Sequence, residues 1–216
     1  MIRIVIVEDM SIIVEGIKLL LKKIKDFEII GVYSNGKDFL ASLPLSEPDI
    51  VLTDIQMPIM DGISMTKLAT NLNPQLKIIA LSMHTDRKYL IDMVNAGVSG
   101  YITNKSSAKE LETGIRDVYN GKKYLSRNLL SSRVLNITEL RSQIKKITKL
   151  FPELGSEELE ILLMLSHGHS TEEITQKFEI SKEDLERTKV VLFKKTNTKS
   201  NNGLLLWLIK NTFITN

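Results

Sequence analysis

The chain has 216 residues, 43% hydrophobic and 25% charged, which gives length for one large or two modest domains and excludes a disordered chain. It contains no cysteine, so disulfides and thiolate metal sites are excluded. The net charge of +3 is uneven: residues 1–122 sum to −1 and residues 123–216 to +4, with six basic residues and no acid from Arg187 onward. That bias suits contact with phosphates or a solvated basic surface.

Met1 leads straight into IRIVIVED, a run too short for a membrane span and without the regions of a signal peptide, so the expected location is the cytoplasm. The following 120 residues alternate β-branched runs with helical patterns. Strands are expected at 2–7, 27–33, 49–53, 77–82 and 100–102, and their nearly continuous apolar character points to parallel strands covered on both faces. Between them Ile13, Ile17, Leu20, Leu21 and Ile24 recur at helical spacing, as do Leu90, Met93 and Val94, and then Leu111, Ile115 and Val118. Five βα repeats of this length predict a five-stranded, doubly wound parallel α/β sheet, with its site at the carboxyl ends of the strands.

After Gly121 the pattern is helical only. Residues 125–150 read as an amphipathic connector, Phe151 and Pro152 interrupt it, and residues 155–213 read as four short helices. Ser170 followed by Glu173, and Ser181 followed by Asp184, have capping-box spacing. They open two helices separated by the spacing of a helix-turn-helix. The expected organisation is a domain at 1–122, a helical linker at 123–152 and a small all-α domain at 153–216. His167 and His169 flank Gly168 as turn residues, and Trp207 reads as a core or dimer contact.

The chemistry concentrates at the strand ends. Strand one ends in Glu8 and Asp9, strand three in Asp54, strand four in Ser82, and Lys105 follows strand five. Three crowded carboxylates need a counter-cation, and that many oxygen ligands suit Mg²⁺. With a lysine and a hydroxyl beside them, they supply what formation and loss of an aspartyl-phosphate requires.

Glu8-Asp9, LTDIQMPIMDG, ALS and AGVSGYITNK resemble the motifs of the two-component receiver domain, in order, across residues 1 to about 122. The resemblance implies that Asp54 accepts a phosphoryl group from a sensor histidine kinase. It implies a Mg²⁺ site at Asp9, Asp54, the backbone carbonyl of Gln56 and, directly or through water, Glu8. Lys105 would pair with the phosphoryl group, and Ser82 and Tyr101 would form the switch pair, while Gln56 and His84 resemble the variable positions that tune phosphoryl lifetime in this family. Phosphatases of the haloacid dehalogenase class also use a strand-end Asp with Mg²⁺, but they resemble DxDx(T/V), and Gln56 stands where their second Asp would be. The chain therefore reads as a phosphoacceptor with at most self-dephosphorylation, not a turnover enzyme.

Residues 153–216 resemble the LuxR-type helix-turn-helix of NarL/FixJ regulators, retaining Leu154, Glu158, Glu160, Leu162, Gly168, Ser170, Glu173, Ile174, Ile180, Ser181 and Lys195. The departures fall on the recognition helix: Asp184, Leu185 and Thr188 replace a Thr-Val and a His, and Val190 and Val191 replace a basic residue and an Asn. Arg187, Lys189, Lys194, Lys195 and Lys199 are the candidate DNA contacts. One reading is a transcriptional regulator that binds DNA as a homodimer, through the apolar run Leu204 to Ile209. The other is a module that keeps the fold but serves protein–protein interaction.

Overall fold

Ile4, Val5, Ile6 and Val7 are fully buried, as are Ile50, Val51 and Leu52, because both faces of the sheet they form are covered by helices. The computed structural model describes residues 1–83, 87–126, 129, 147–166 and 168–213, with backbone alone at 44–46, 212 and 213. His84, His167 and most of the expected connector, residues 127, 128 and 130–146, lie outside the described residues. The chain divides into two units, Met1–Leu129 and Leu130–Asn216.

In the first unit β1 (Ile2–Val7), β2 (Phe27–Tyr33), β3 (Ile50–Asp54), β4 (Lys77–Ser82) and β5 (Gly100–Thr103) alternate with α1 (Ser11–Leu21), α2 (Gly36–Ser46), α3 (Gly62–Leu72), α4 (Arg87–Asn95) and α5 (Ala108–Tyr119). A sixth strand, β6 (Tyr124–Leu125), completes a sheet in the order β2-β1-β3-β4-β5-β6. All pairs are parallel, with Val7 beside Thr53, Asp54 beside Leu81 and Ser82 beside Thr103. The order reverses between β1 and β3, so the carboxyl ends of those two strands form the switch-point crevice of a doubly wound sheet.

The sixth strand departs from the five expected and occupies residues read as the start of a helical linker. Tyr124 donates its N–H to Ser99 O at 3.2 Å, Ser126 donates to Tyr101 O at 3.0 Å, and both side chains of β6 are buried. Burial and β5's open edge override the helical pattern, since an unpaired edge leaves backbone groups unsatisfied.

The second unit contains α6 (Ser156–Ser166), α7 (Thr171–Phe178), α8 (Lys182–Thr196) and α9 (Asn201–Phe213), the four helices expected. At α7 the capping box closes in both directions: Ser170 Oγ accepts from Glu173 N at 3.2 Å and Glu173 Oε2 accepts from Ser170 N at 2.8 Å. At α8 it closes in one direction. Ser181 Oγ accepts from Asp184 N at 3.1 Å, but the Asp184 carboxylate takes the Ser181 hydroxyl at 2.6 Å, one methylene being missing from its reach. Glu179, left-handed at φ 54°, turns the chain between α7 and α8. Leu204, Leu205, Leu206, Leu208 and Ile209 are buried, α9 lies against α6, and Trp207 meets Phe151 edge-on at 4.7 Å between centroids. The apolar run expected to supply a dimer contact is therefore covered within the chain, because four short helices need it to close their core.

Candidate functional site

Chain direction brings the acids together. Glu8 and Asp9 follow β1, Asp54 ends β3, and a carboxylate oxygen from each lies within 4.8 Å of the others. Glu8 is buried, Asp54 half-buried and Asp9 exposed. Burial raises the Glu8 carboxyl to about 7, with the neighbouring charges of Asp54 and Asp9 adding to it and the Met10 N–H, 3.0 Å away, opposing it. Three acids this close together call for a compensating cation when ionised. Among the described residues the donor set is three carboxylates, which fits a hard divalent cation.

The loop after β3 is shaped around Asp54. Gln56 N donates to Asp54 Oδ2 at 3.0 Å, and Gly62 N donates to Ile55 O at 2.8 Å, folding the loop back under the strand end. A Cβ at Gly62 would collide with the Asp54 carbonyl oxygen, so only glycine permits this approach. Ile59, exposed, sits at φ 69° and Met60 N reaches back to Pro58 O at 2.7 Å. Asp61 then caps α3, accepting from Ser64 N at 2.6 Å.

Ser82 and Asp54 line one cavity of about 300 Å³ with Glu8, walled by Ile17 and Leu20 of α1 and Leu111 of α5. Ser82 is buried at the end of β4, and Lys105 stands exposed two residues past β5, at the same end of the sheet. The Tyr101 ring is fully buried within β5. Sequence reasoning missed two residues. Tyr89 of α4 accepts a hydrogen bond from Gln56 Nε2 at 2.6 Å, and Thr103 is buried beside Ser82. Tyr89 carried no signal, since a tyrosine in the first turn of an amphipathic helix is unremarkable; Thr103 was signalled by its place at a strand end.

Among the proposed DNA contacts, Lys195 is engaged elsewhere. Its ammonium bonds both oxygens of Glu158 at 2.7 Å and Glu153 O at 2.6 Å, bracing α8 to the start of α6. Lys189 pairs with Glu186 at 2.6 Å and its side chain is only 15% exposed. Arg187 is open to solvent, 3.4 Å from Asp184, and Lys194 and Lys199 are exposed.

Residues 4–116 match the family described as the response regulator receiver domain. Over 197 residues the chain is 28% identical to the response regulator UvrY of Escherichia coli (strain K12), covering 91% of this chain and 88% of that protein. It is 31% identical to the transcriptional regulatory protein LnrK of Bacillus subtilis (strain 168) across 84% of each chain. In fold it is similar to a LuxR-family two-component response regulator from Aurantimonas sp. SI85-9A1 (TM-score 0.58, 25% identity, 60% of this chain and 92% of that one). It is also similar to RcsB from Salmonella enterica serovar Typhimurium bound to the rprA promoter (TM-score 0.57, 21% identity, 97% and 99%). With acids, loop and sheet order in the receiver arrangement, and the match spanning more than half its length, the chain belongs to the response-regulator family.

Proposed function

We propose that this response regulator is phosphorylated on Asp54 by a sensor histidine kinase in the cytoplasm, and that phosphorylation controls DNA binding by its helix-turn-helix as a homodimer. The observation that carries the reading is the meeting of Glu8, Asp9 and Asp54 at the switch point of the sheet, with Gln56 N orienting the Asp54 carboxylate. An Asp54 oxygen forms a bond to phosphorus as the bond to the kinase's histidine nitrogen breaks, and the electron pair leaves with the imidazole. Asp9, Asp54 and the Gln56 carbonyl, with Glu8 behind them, would hold Mg²⁺, which supplies positive charge to the transferring oxygens. Lys105 neutralises the product's charge and Ser82 donates a hydrogen bond to it, and Tyr101, buried within β5, couples that bond to β5.

The phosphoryl group is held and not turned over on external esters, because Gln56 offers no carboxylic acid to protonate a leaving group. Among the described residues no helix is long and apolar enough to cross a membrane.

Incubation with a small phosphodonor and Mg²⁺ should put acid-labile phosphate on the native chain and none on Asp54→Asn, which keeps the fold. Beryllofluoride should then raise salt-sensitive, fragment-selective binding to pooled genomic DNA. Equal labelling of Asp54→Asn sinks the acceptor assignment, and loss of selective binding in both states sinks the DNA assignment.

A further inference from the structure

Helix α8 buries Leu185, Leu192 and Thr196, which fixes its inward side. At the helical repeat the opposite stripe carries Glu183, Arg187, Val190 and Lys194. Val190 is 66% exposed and its neighbour Val191 41% exposed in the full chain. A β-branched side chain on an exposed helix surface adds nothing to helix propensity. One exposed valine is ordinary, but this one lies midway along the outward stripe, with Arg187 one turn before it and Lys194 one turn after.

That stripe belongs to the second helix of a helix-turn-helix, the helix that this motif lays in the major groove. On the groove floor an aliphatic side chain has one base feature to pack against, the C5 methyl of thymine, and an arginine has the O6 and N7 acceptors of guanine. Glu183, in the first turn, has the cytosine N4 amino group as its complement. Flanking cations favour a polyanion over a protein as the occupant, as does the absence of acids beyond Glu186. We propose that Val190 is a specificity-determining residue that reads a thymine methyl in the major groove, with Arg187 contacting the adjoining step. The inference rests on the DNA-binding reading above.

The test uses the full chain with Mg²⁺ and beryllofluoride on a duplex recovered from the pooled genomic fragments. Each thymine is replaced in turn by deoxyuridine, which removes only the C5 methyl. One position per half-site should weaken native binding about fourfold, the effect of one buried methyl group. Val190→Ala should bind the two duplexes equally, while circular dichroism shows its helices intact. Native protein indifferent to every replacement, or Val190→Ala still discriminating, overturns the assignment of Val190 while leaving DNA binding in place. Failure to recover any selectively bound fragment overturns both readings and assigns the stripe to a protein partner.

Discussion

The side-chain amide of Gln56 donates to the Tyr89 hydroxyl at 2.6 Å, while the backbone N–H of the same residue donates to Asp54 Oδ2 at 3.0 Å. One residue thus ties the Asp54 carboxylate to the first turn of α4. Tyr89→Phe, which keeps the ring and removes the hydroxyl, should weaken beryllofluoride binding about fivefold, the worth of one net hydrogen bond. Gln56→Ala should do the same, and the double variant should lose no more than either alone. Additive losses in a titration of the three variants would show that the two residues act independently.

The Glu8 carboxyl is held at about 7 by burial, against an ordinary 4.5. The folded state therefore binds this proton more tightly than the unfolded chain does. Its contribution to stability is fully present below 4.5 and is lost as pH rises through 7. Thermal unfolding of metal-free protein should show a midpoint that declines between pH 5 and pH 8. Millimolar Mg²⁺ should offset the decline, since a cation suits the ionised form, and Glu8→Gln should remove most of it. A midpoint independent of pH in both forms would contradict the burial argument.

Two glycines make opposite predictions. A Cβ at Gly62 would strike the Asp54 carbonyl, whereas one at Gly16, within α1, would meet nothing within 4 Å. Gly62→Ala should cost about 1–3 kcal/mol, the range for overpacking, and abolish phosphorylation by displacing the acceptor. Gly16→Ala should stabilise the chain by up to about 1 kcal/mol through helix propensity. Denaturant titration measures both signs.

The Lys195 brace separates stability from DNA affinity. The Glu158 carboxyl, though partly desolvated, is held below its ordinary range by Lys195 and by the Gly155 N–H. Its contribution is present above the unfolded value near 4.5 and fades as pH falls through the folded value. Glu158→Gln and Lys195→Ala should each destabilise the second unit by about 1–2 kcal/mol at neutral pH, with the Glu158→Gln difference shrinking below pH 4. Arg187→Ala, Lys194→Ala and Lys199→Ala should leave stability alone and each lower the slope of log affinity on log salt by about 0.9. A salt slope that falls equally for Lys195→Ala would return that residue to the DNA-facing set.

The first five strands, the four closing helices and the acidic cluster were all legible, because each rests on repetition: apolar runs, helical spacing, acids at successive strand ends. What escaped was set by a single tertiary contact. The two residues of β6 have no period to detect, and they pair because β5 has a free edge. The run from Leu204 to Ile209 reads equally as core or interface until the bundle is counted and found to need it. Lys195 looks like its neighbour Lys194 in the sequence, and only the approach of Glu158 from 37 positions away distinguishes them. Tyr89 was hidden for the same reason, its partner Gln56 lying in the loop after β3.

The exit from the receiver is fastened to Tyr101. Ser126 N donates to Tyr101 O, and the Ser126 hydroxyl, fully buried, accepts from Thr103 N at 2.9 Å and lies 3.0 Å from Ser106 Oγ. The polypeptide leaving for the second unit therefore departs from a footing shared with β5 and the loop that carries Lys105. Any displacement of that strand on phosphorylation is imposed directly on the root of the tether. A signal that moved β5 would reach this segment through the hydrogen bonds of Ser126 rather than across a surface.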